Sequence, residues 1–159
     1  MTDAPINDRY FDDFEVGERF EFGSVVIDYD EVIEFATKYD PQPFHIDPEA
    51  AKESVYGGII ASGWHTGSLM MRLLGEWFVG PSSMGSPGLE ELRWLAPARP
   101  GDTLTLHVEV LDVRPSRSKP DRGIVLVAAE FFNQDGVKVV REVANMMLAR
   151  RIPGQTPAT

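Results

Sequence analysis

Cysteine is absent from the chain, which removes disulfides, thiolate metal sites and a cysteine nucleophile from consideration. A small extracellular domain without such staples would be uncommon. Long apolar runs are missing too: none approaches the ~18 residues of a membrane span. The stretch Met1–Arg9 is polar and acidic, with no basic region followed by an apolar one, so it does not read as a signal peptide. A cytoplasmic protein that spans no membrane is the expectation. Positive charge is scarce as well. Fifteen Lys and Arg stand against 25 Asp and Glu, for a net charge of −10, and this balance argues against a nucleic-acid partner. The few cations are unevenly spread, with Arg114, Arg117, Lys119 and Arg122 in one short stretch.

What is present suits one domain. A chain of 159 residues with 43% hydrophobic content can bury a core and is too short for two ordinary domains. Residues 1–159 are therefore expected to form a single domain, with an ordered core over about 10–150 and a flexible tail at 152–159. Prolines and glycines fall between periodic segments, and there is no internal repeat or low-complexity tract.

Tyr10–Phe20 reads as an ordered arm with Tyr10, Phe11 and Phe14 packed down, ending at a Gly17 turn. Arg19–Ile27 has strand character interrupted by Gly23. Asp28–Tyr39 predicts a helix, with Asp28 as N-cap and Glu31 completing a capping box. Val32, Phe35, Ala36 and Tyr39 recur at helical spacing on one apolar face. Pro41 and Pro43 stop that helix and leave Asp40–Asp47 as a loop. Pro48 opens a short helix over Glu49–Ser54. Ser62 caps a longer one over Gly63–Trp77, apolar almost all round and therefore expected to be buried. Four strands follow: Leu89–Leu95, Thr103–Val113, Gly123–Phe132 and Val137–Arg150, the last two joined by an Asp135-Gly136 turn. In Thr103–Val113 the residues Leu104, Leu106, Val108 and Val110 alternate with Thr105, His107 and Glu109. The last two strands are apolar on both faces, as central strands are. The pattern is met by an α+β fold, a curved antiparallel sheet wrapped around one long buried central helix.

Of the three histidines, His107 lies on the polar face of an alternating strand and reads as exposed, and His65, in the first turn of the buried helix, reads as packed and hydrogen-bonded. His45 differs. It follows Asp40 by five residues in a loop stiffened by Pro41 and Pro43. A rigid carboxylate–imidazole pair can hold one water and supply the base and acid needed to add it across a conjugated double bond. Histidine titrates near neutrality, and partial burial can raise an aspartate towards it. The competing reading is that Asp40 caps a helix C-terminus and His45 packs beneath the loop. Ser62-Gly63 begins the buried helix, where free backbone N–H groups and the dipole can polarise a thioester carbonyl. Simple capping by Ser62 is the alternative, and both can hold. The basic loop carrying Arg117 and Lys119 fits either the phosphates of a coenzyme A handle or a plain solvated loop.

Tyr39-Asp40-Pro41-Gln42-Pro43-Phe44-His45-Ile46-Asp47 resembles the hydratase signature of MaoC-like dehydratases and (R)-specific enoyl-CoA hydratases. Tyr56-Gly57-Gly58-Ile59-Ile60-Ala61-Ser62-Gly63 is similar to that family's approach to its central helix. Leu92 to Leu104, through Pro100-Gly101-Asp102, resembles its strand entering a turn, and Tyr10 to Gly17 its N-terminal arm. Two departures stand out. Gln42 replaces the usual Asn, which bears on the hydrogen bonding inside the loop. Ser62-Gly63 replaces the familiar His-Gly and is followed by Trp64, bulky enough to narrow an acyl tunnel and favour a short or unusual acyl group.

The resemblance implies a hotdog fold, paired as a homodimer or higher oligomer, with an acyl-CoA or other acyl-thioester substrate in a tunnel near the subunit interface. It implies that Asp40 and His45 hold the catalytic water and that the Gly63 N–H bonds the thioester carbonyl. Coenzyme A enters as part of the substrate, and no metal or redox cofactor is expected. The reaction implied is reversible hydration of a 2-enoyl thioester in fatty acid metabolism. A hotdog thioesterase and a non-catalytic acyl-CoA binding protein are the alternatives.

Overall fold

The computed structural model describes residues 5–151; the tail expected to be flexible lies outside the described residues. Five strands form one antiparallel sheet: β1 (Arg19–Val26), β2 (Gly88–Trp94), β3 (Thr103–Pro115), β4 (Arg122–Phe132) and β5 (Lys138–Ala149). Their order across the sheet is β1-β3-β4-β5-β2. β4 and β5, apolar on both faces in sequence, are interior strands, and β2 is an edge.

Period-two alternation puts Leu104, Leu106, Val108 and Val110 of β3 on one face, and all four are buried. Their register with β4 and β5 carries the same face through Val127, Phe131, Val140 and Ala144. Against it packs α4 (Gly63–Trp77) through Leu69, Met70, Leu73 and Leu74. The N-terminal arm closes one side of this core with Phe11 and Phe14, both buried. Gly23 marks the irregularity in β1 anticipated from sequence: the register with β3 shifts between Glu21 and Ser24, and a β-carbon at 23 would press on the Trp77 ring.

Among the described residues three further α-helices stand before α4, α1 (Tyr29–Tyr39), α2 (Pro43–Ile46) and α3 (Pro48–Glu53), besides one 3-10 turn at Phe11–Asp13 in the arm. Asp28 caps α1 by accepting from the Glu31 N–H at 2.9 Å. Several expectations change here. Asp40–Asp47 is not all loop, because α2 starts at Pro43. A proline at a helix's first position loses no hydrogen bond and has its φ already set, so it opens a turn rather than breaking one. On α1, Val32 and Ala36 are buried, but Tyr39 is exposed and Phe35 only half-buried.

α4 is not buried all round either. His65, Thr66, Leu69, Met70, Leu73 and Leu74 face inward, whereas Trp64 is 60% and Met71 51% exposed. These two lie seven residues apart, on the exposed stripe of the helix. Among the described residues no helix is long and apolar enough to cross a membrane.

Candidate active site

The site is assembled where α1 ends, α2 turns and α4 begins. Asp40 caps the C-terminus of α1, its N–H bonded to the Ala36 carbonyl at 2.8 Å. The chain then closes a tight turn, with Gln42 N–H donating to the Asp40 carbonyl at 2.7 Å and His45 N–H to the Gln42 carbonyl at 2.9 Å. This single turn of helix brings the His45 ring back towards Asp40.

His45 is 4% exposed and anchored on both sides. Its Nδ1 lies 2.7 Å from the Ile60 carbonyl oxygen, an acceptor only, so Nδ1 carries the proton and donates. That leaves Nε2 facing Asp40 Oδ2 at 3.2 Å. The Ile60 carbonyl is held in turn. Ile60 N–H donates to the Phe44 carbonyl at 3.2 Å, and Ala61 N–H to the Ala98 carbonyl at 2.8 Å.

Asp40 collects further donors. Ser62 Oγ donates to Oδ2 at 2.7 Å and Gln42 Nε2 to Oδ1 at 2.7 Å. Burial pushes the Asp40 carboxyl up. The hydrogen bonds from Ser62 and Gln42 and the charge of His45 outweigh it and hold the group below the ordinary aspartate value. The sequence-based expectation of a raised aspartate is thereby reversed, because the donors arrive from residues 42 and 62 and not from solvent.

Ser62 is fully buried and works in two directions. Its Oγ also accepts the Trp64 N–H at 3.3 Å, so one hydroxyl both caps α4 and grips Asp40. The capping reading of Ser62 therefore holds, and the bond to Asp40 adds a role that the sequence reading lacked. As the first residue of α4, Gly63 has an N–H with no partner inside the helix. A cavity of about 550 Å³ joins these groups, with Asp40, His45, Gly63, Trp64, Trp94 and Val139 among its walls.

The sequence-based candidates thus divide. Asp40, His45, Ser62, Gly63 and Trp64 come together. Arg117 and Lys119 do not join them within one chain. They lie on the exposed β3–β4 loop, where Lys119 N–H donates to Ser116 Oγ at 3.1 Å. Arg117 instead borders a separate concavity of about 660 Å³ with Gly88, Glu90, Arg114 and Asn145. β2 carries Gly88 at that concavity and Trp94 at the other, so its length, roughly 20 Å, separates the two.

The other histidines stay outside. His65 is buried and stacked on Phe35 at 4.9 Å, but neither ring nitrogen has a hydrogen bond, contrary to the hydrogen-bonded histidine anticipated from sequence. Glu31 Oε2 lies 3.7 Å from its Nε2, so Glu31 turns towards the ring rather than completing a capping box. His107 is half-buried on the outer face, near Glu21 and Phe132, and so less exposed than its alternating strand suggests. Among the described residues, no cluster of His, Asp and Glu has the makings of a metal site. Sequence reasoning did not place Trp94 in the site. Its only local signal is a bulky ring closing a strand before Leu95-Ala96-Pro97, and nothing in that spacing says it meets Gly63.

A five-stranded antiparallel sheet packed on one long helix, with a carboxylate–imidazole pair at that helix's N-terminus, defines a hotdog-fold domain. Comparison with known proteins narrows this class. The family model described as "MaoC like domain" matches residues 13–130, and the chain belongs to the MaoC-like dehydratase family. It is similar to the crystal structure of a MaoC-like dehydratase from Rhodospirillum rubrum, with 40% identity and a TM-score of 0.83, over 91% of this chain and 99% of that one. It is 33% identical to the uncharacterized protein YdeM of Bacillus subtilis, over 87% of this chain and 98% of that protein. It is 30% identical to a 3-hydroxybutyryl-CoA dehydratase of Methylorubrum extorquens, over 91% of this chain and 93% of that protein.

Proposed function

We propose that the protein is a hydratase/dehydratase that adds water reversibly to a 2-enoyl thioester, carried as the coenzyme A ester, to give the 3-hydroxyacyl thioester. The observation that carries this reading is Asp40 Oδ2 standing 3.2 Å from His45 Nε2 on the wall of a cavity that also reaches the Gly63 N–H. A thioester carbonyl on that N–H would be polarised, and the enolate charge that develops during addition would be held at the positive end of α4. Water's oxygen joins C3, one water proton passes to the Asp40–His45 pair, and the pair returns a proton to C2. The two groups share their protons and act as a unit. The relative from Methylorubrum extorquens, named for a dehydratase of a short hydroxyacyl-CoA, supports the same reaction class. No step calls for a metal or a redox cofactor.

Arg117 and Lys119 fit the coenzyme A phosphates only if a second chain brings its β3–β4 loop to the cavity mouth. A homodimer is therefore part of the proposal. It is supported by the unpaired edge of β2, with Leu89 and Trp94 exposed, which is the type of edge that recruits another chain.

The test is hydration of crotonyl-CoA, followed by loss of the enoyl absorbance, for wild type and Asp40→Asn. Wild type turns over without releasing free thiol, and Asp40→Asn loses at least ~10²-fold in kcat while still binding crotonyl-CoA. In the same assay, Arg117→Ala with Lys119→Ala raises KM and leaves kcat unchanged. Free thiol in step with enoyl loss would mark a thioesterase. Binding without turnover by wild type would mark a binding protein. Either result overturns the reading.

A further inference from the structure

We propose that Trp94, rather than the neighbouring Trp64, sets which acyl groups the cavity accepts, admitting short, flat chains that lie against its indole. The inference rests on the reading above for its ligand, an acyl thioester.

Trp94 is the last residue of β2 and pairs with Val140 of β5. Val140 is fully buried on the helix-facing side of the sheet, and residues opposite each other in a pair share a face. The Trp94 side chain is therefore aimed at α4, and it arrives at the helix's first residue. A β-carbon built on Gly63 would overlap Cε2 and Nε1 of Trp94 and stand 2.8 Å from Cδ2. All three atoms belong to the five-membered ring, so that half of the indole lies against the Gly63 α-carbon. Glycine at 63 thus has two consequences: it leaves the N–H approachable, and it lets the indole close in beside that N–H.

Trp64 occupies a different place. It is the more exposed of the two, at 60% against 46% for Trp94, and meets the Trp94 ring edge-on at 5.4 Å. It braces the indole from the rim and leaves the inner wall to Trp94. A thioester carbonyl bonded to the Gly63 N–H has its planar conjugated carbons next to the indole, where aromatic contact is favourable. A longer chain has to pass that ring, with Thr66 and Val139 forming walls alongside.

The experiment measures binding and turnover separately. Calorimetry with the saturated esters butanoyl-CoA and octanoyl-CoA gives a binding ratio that needs no reaction, and kcat/KM for the matching enoyl esters gives the kinetic ratio. Wild type is expected to favour the short ester by about tenfold or more, since each methylene that fits or fails to fit a pocket matters at that scale. Trp94→Ala is expected to erase that preference, Trp94→Phe to reduce it partway, and Trp64→Ala to move it by less than about threefold. Should Trp94→Ala fail to fold by circular dichroism, Trp94→Phe reads the same ratio.

A wild type indifferent to chain length overturns the inference, as does a Trp94 variant with an unchanged ratio. Binding that shows the Trp94-dependent preference without turnover would sink the hydratase reading and leave the inference standing. Wild type binding neither ester overturns both.

Discussion

His45 and His65 are both buried histidines beside an acidic side chain, and the structure treats them oppositely. His45 has its Nδ1 tied to the Ile60 carbonyl at 2.7 Å and its Nε2 held 3.2 Å from an aspartate that is itself gripped by Ser62 and Gln42. His65 has no hydrogen bond at either nitrogen, a stacked Phe35 on its face, and the half-exposed Glu31 at 3.7 Å. The first ring lines the cavity of about 550 Å³, whose walls do not include the second. Burial beside a carboxylate is therefore not enough to make a site. What distinguishes His45 is a carbonyl that fixes its tautomer, a partner that is itself positioned, and open space for a reactant.

The sharpest test of that contrast is activity. His45→Ala is expected to cost at least ~10²-fold in kcat, about 2.7 kcal/mol of barrier, whereas His65→Leu stays within a few-fold of wild type. Steady-state hydration of crotonyl-CoA by both variants checks it. Comparable losses from the two would erase the distinction drawn from their surroundings.

A smaller effect sharpens the His45 side. Ser62→Ala removes the cap of α4 and the hydroxyl on Asp40 together, and losing an N-cap costs about 1 kcal/mol. Without that donor Asp40 titrates higher than in wild type. A carboxylate held below its ordinary value of 3.8 stabilises the fold above that pH and loses the contribution as acid protonates it. The cost of Ser62→Ala is thus expected to be fullest at neutral pH and to shrink in acid, where Asp40 is protonated in either protein. Urea unfolding at neutral and acidic pH measures it, and a cost independent of pH would leave only the cap.

How much of this was legible in the sequence depended on the range of the interaction. The alternation of β3, the Asp28 cap and the span of α4 come from residues within a few positions of one another, and they read directly. Asp40 and His45 were visible as a pair for the same reason. The direction of the Asp40 shift was not, because Ser62 comes from 22 residues away. Nor was the partner of His45, a carbonyl 15 residues on. Trp94 reaches Gly63 through sheet register, which no local spacing encodes. α2 was missed because Pro43 reads as a stop unless one knows that it stands at a first helical position.

The smallest expected effect belongs to His65, and it tests the other half of the contrast. Burial disfavours its charged form and lowers it below its ordinary value of 6.5, with Glu31 pulling weakly the other way. Above that pH the ring is neutral in both folded and unfolded chains, and its titration contributes nothing. As the pH falls through 6.5 the unfolded chain takes up a proton that the folded chain resists, so the fold loses stability until the pH reaches the folded value. Glu142, raised by burial, works in the opposite direction, so the informative quantity is the difference between wild type and a variant. The Tm of wild type is expected to fall more steeply than that of His65→Leu between about pH 7 and about pH 5.5. Parallel curves would mean that His65 accepts its proton in the folded state, with Glu31 closing on it as a true ion pair. Its difference from His45 would then lie in access to the cavity.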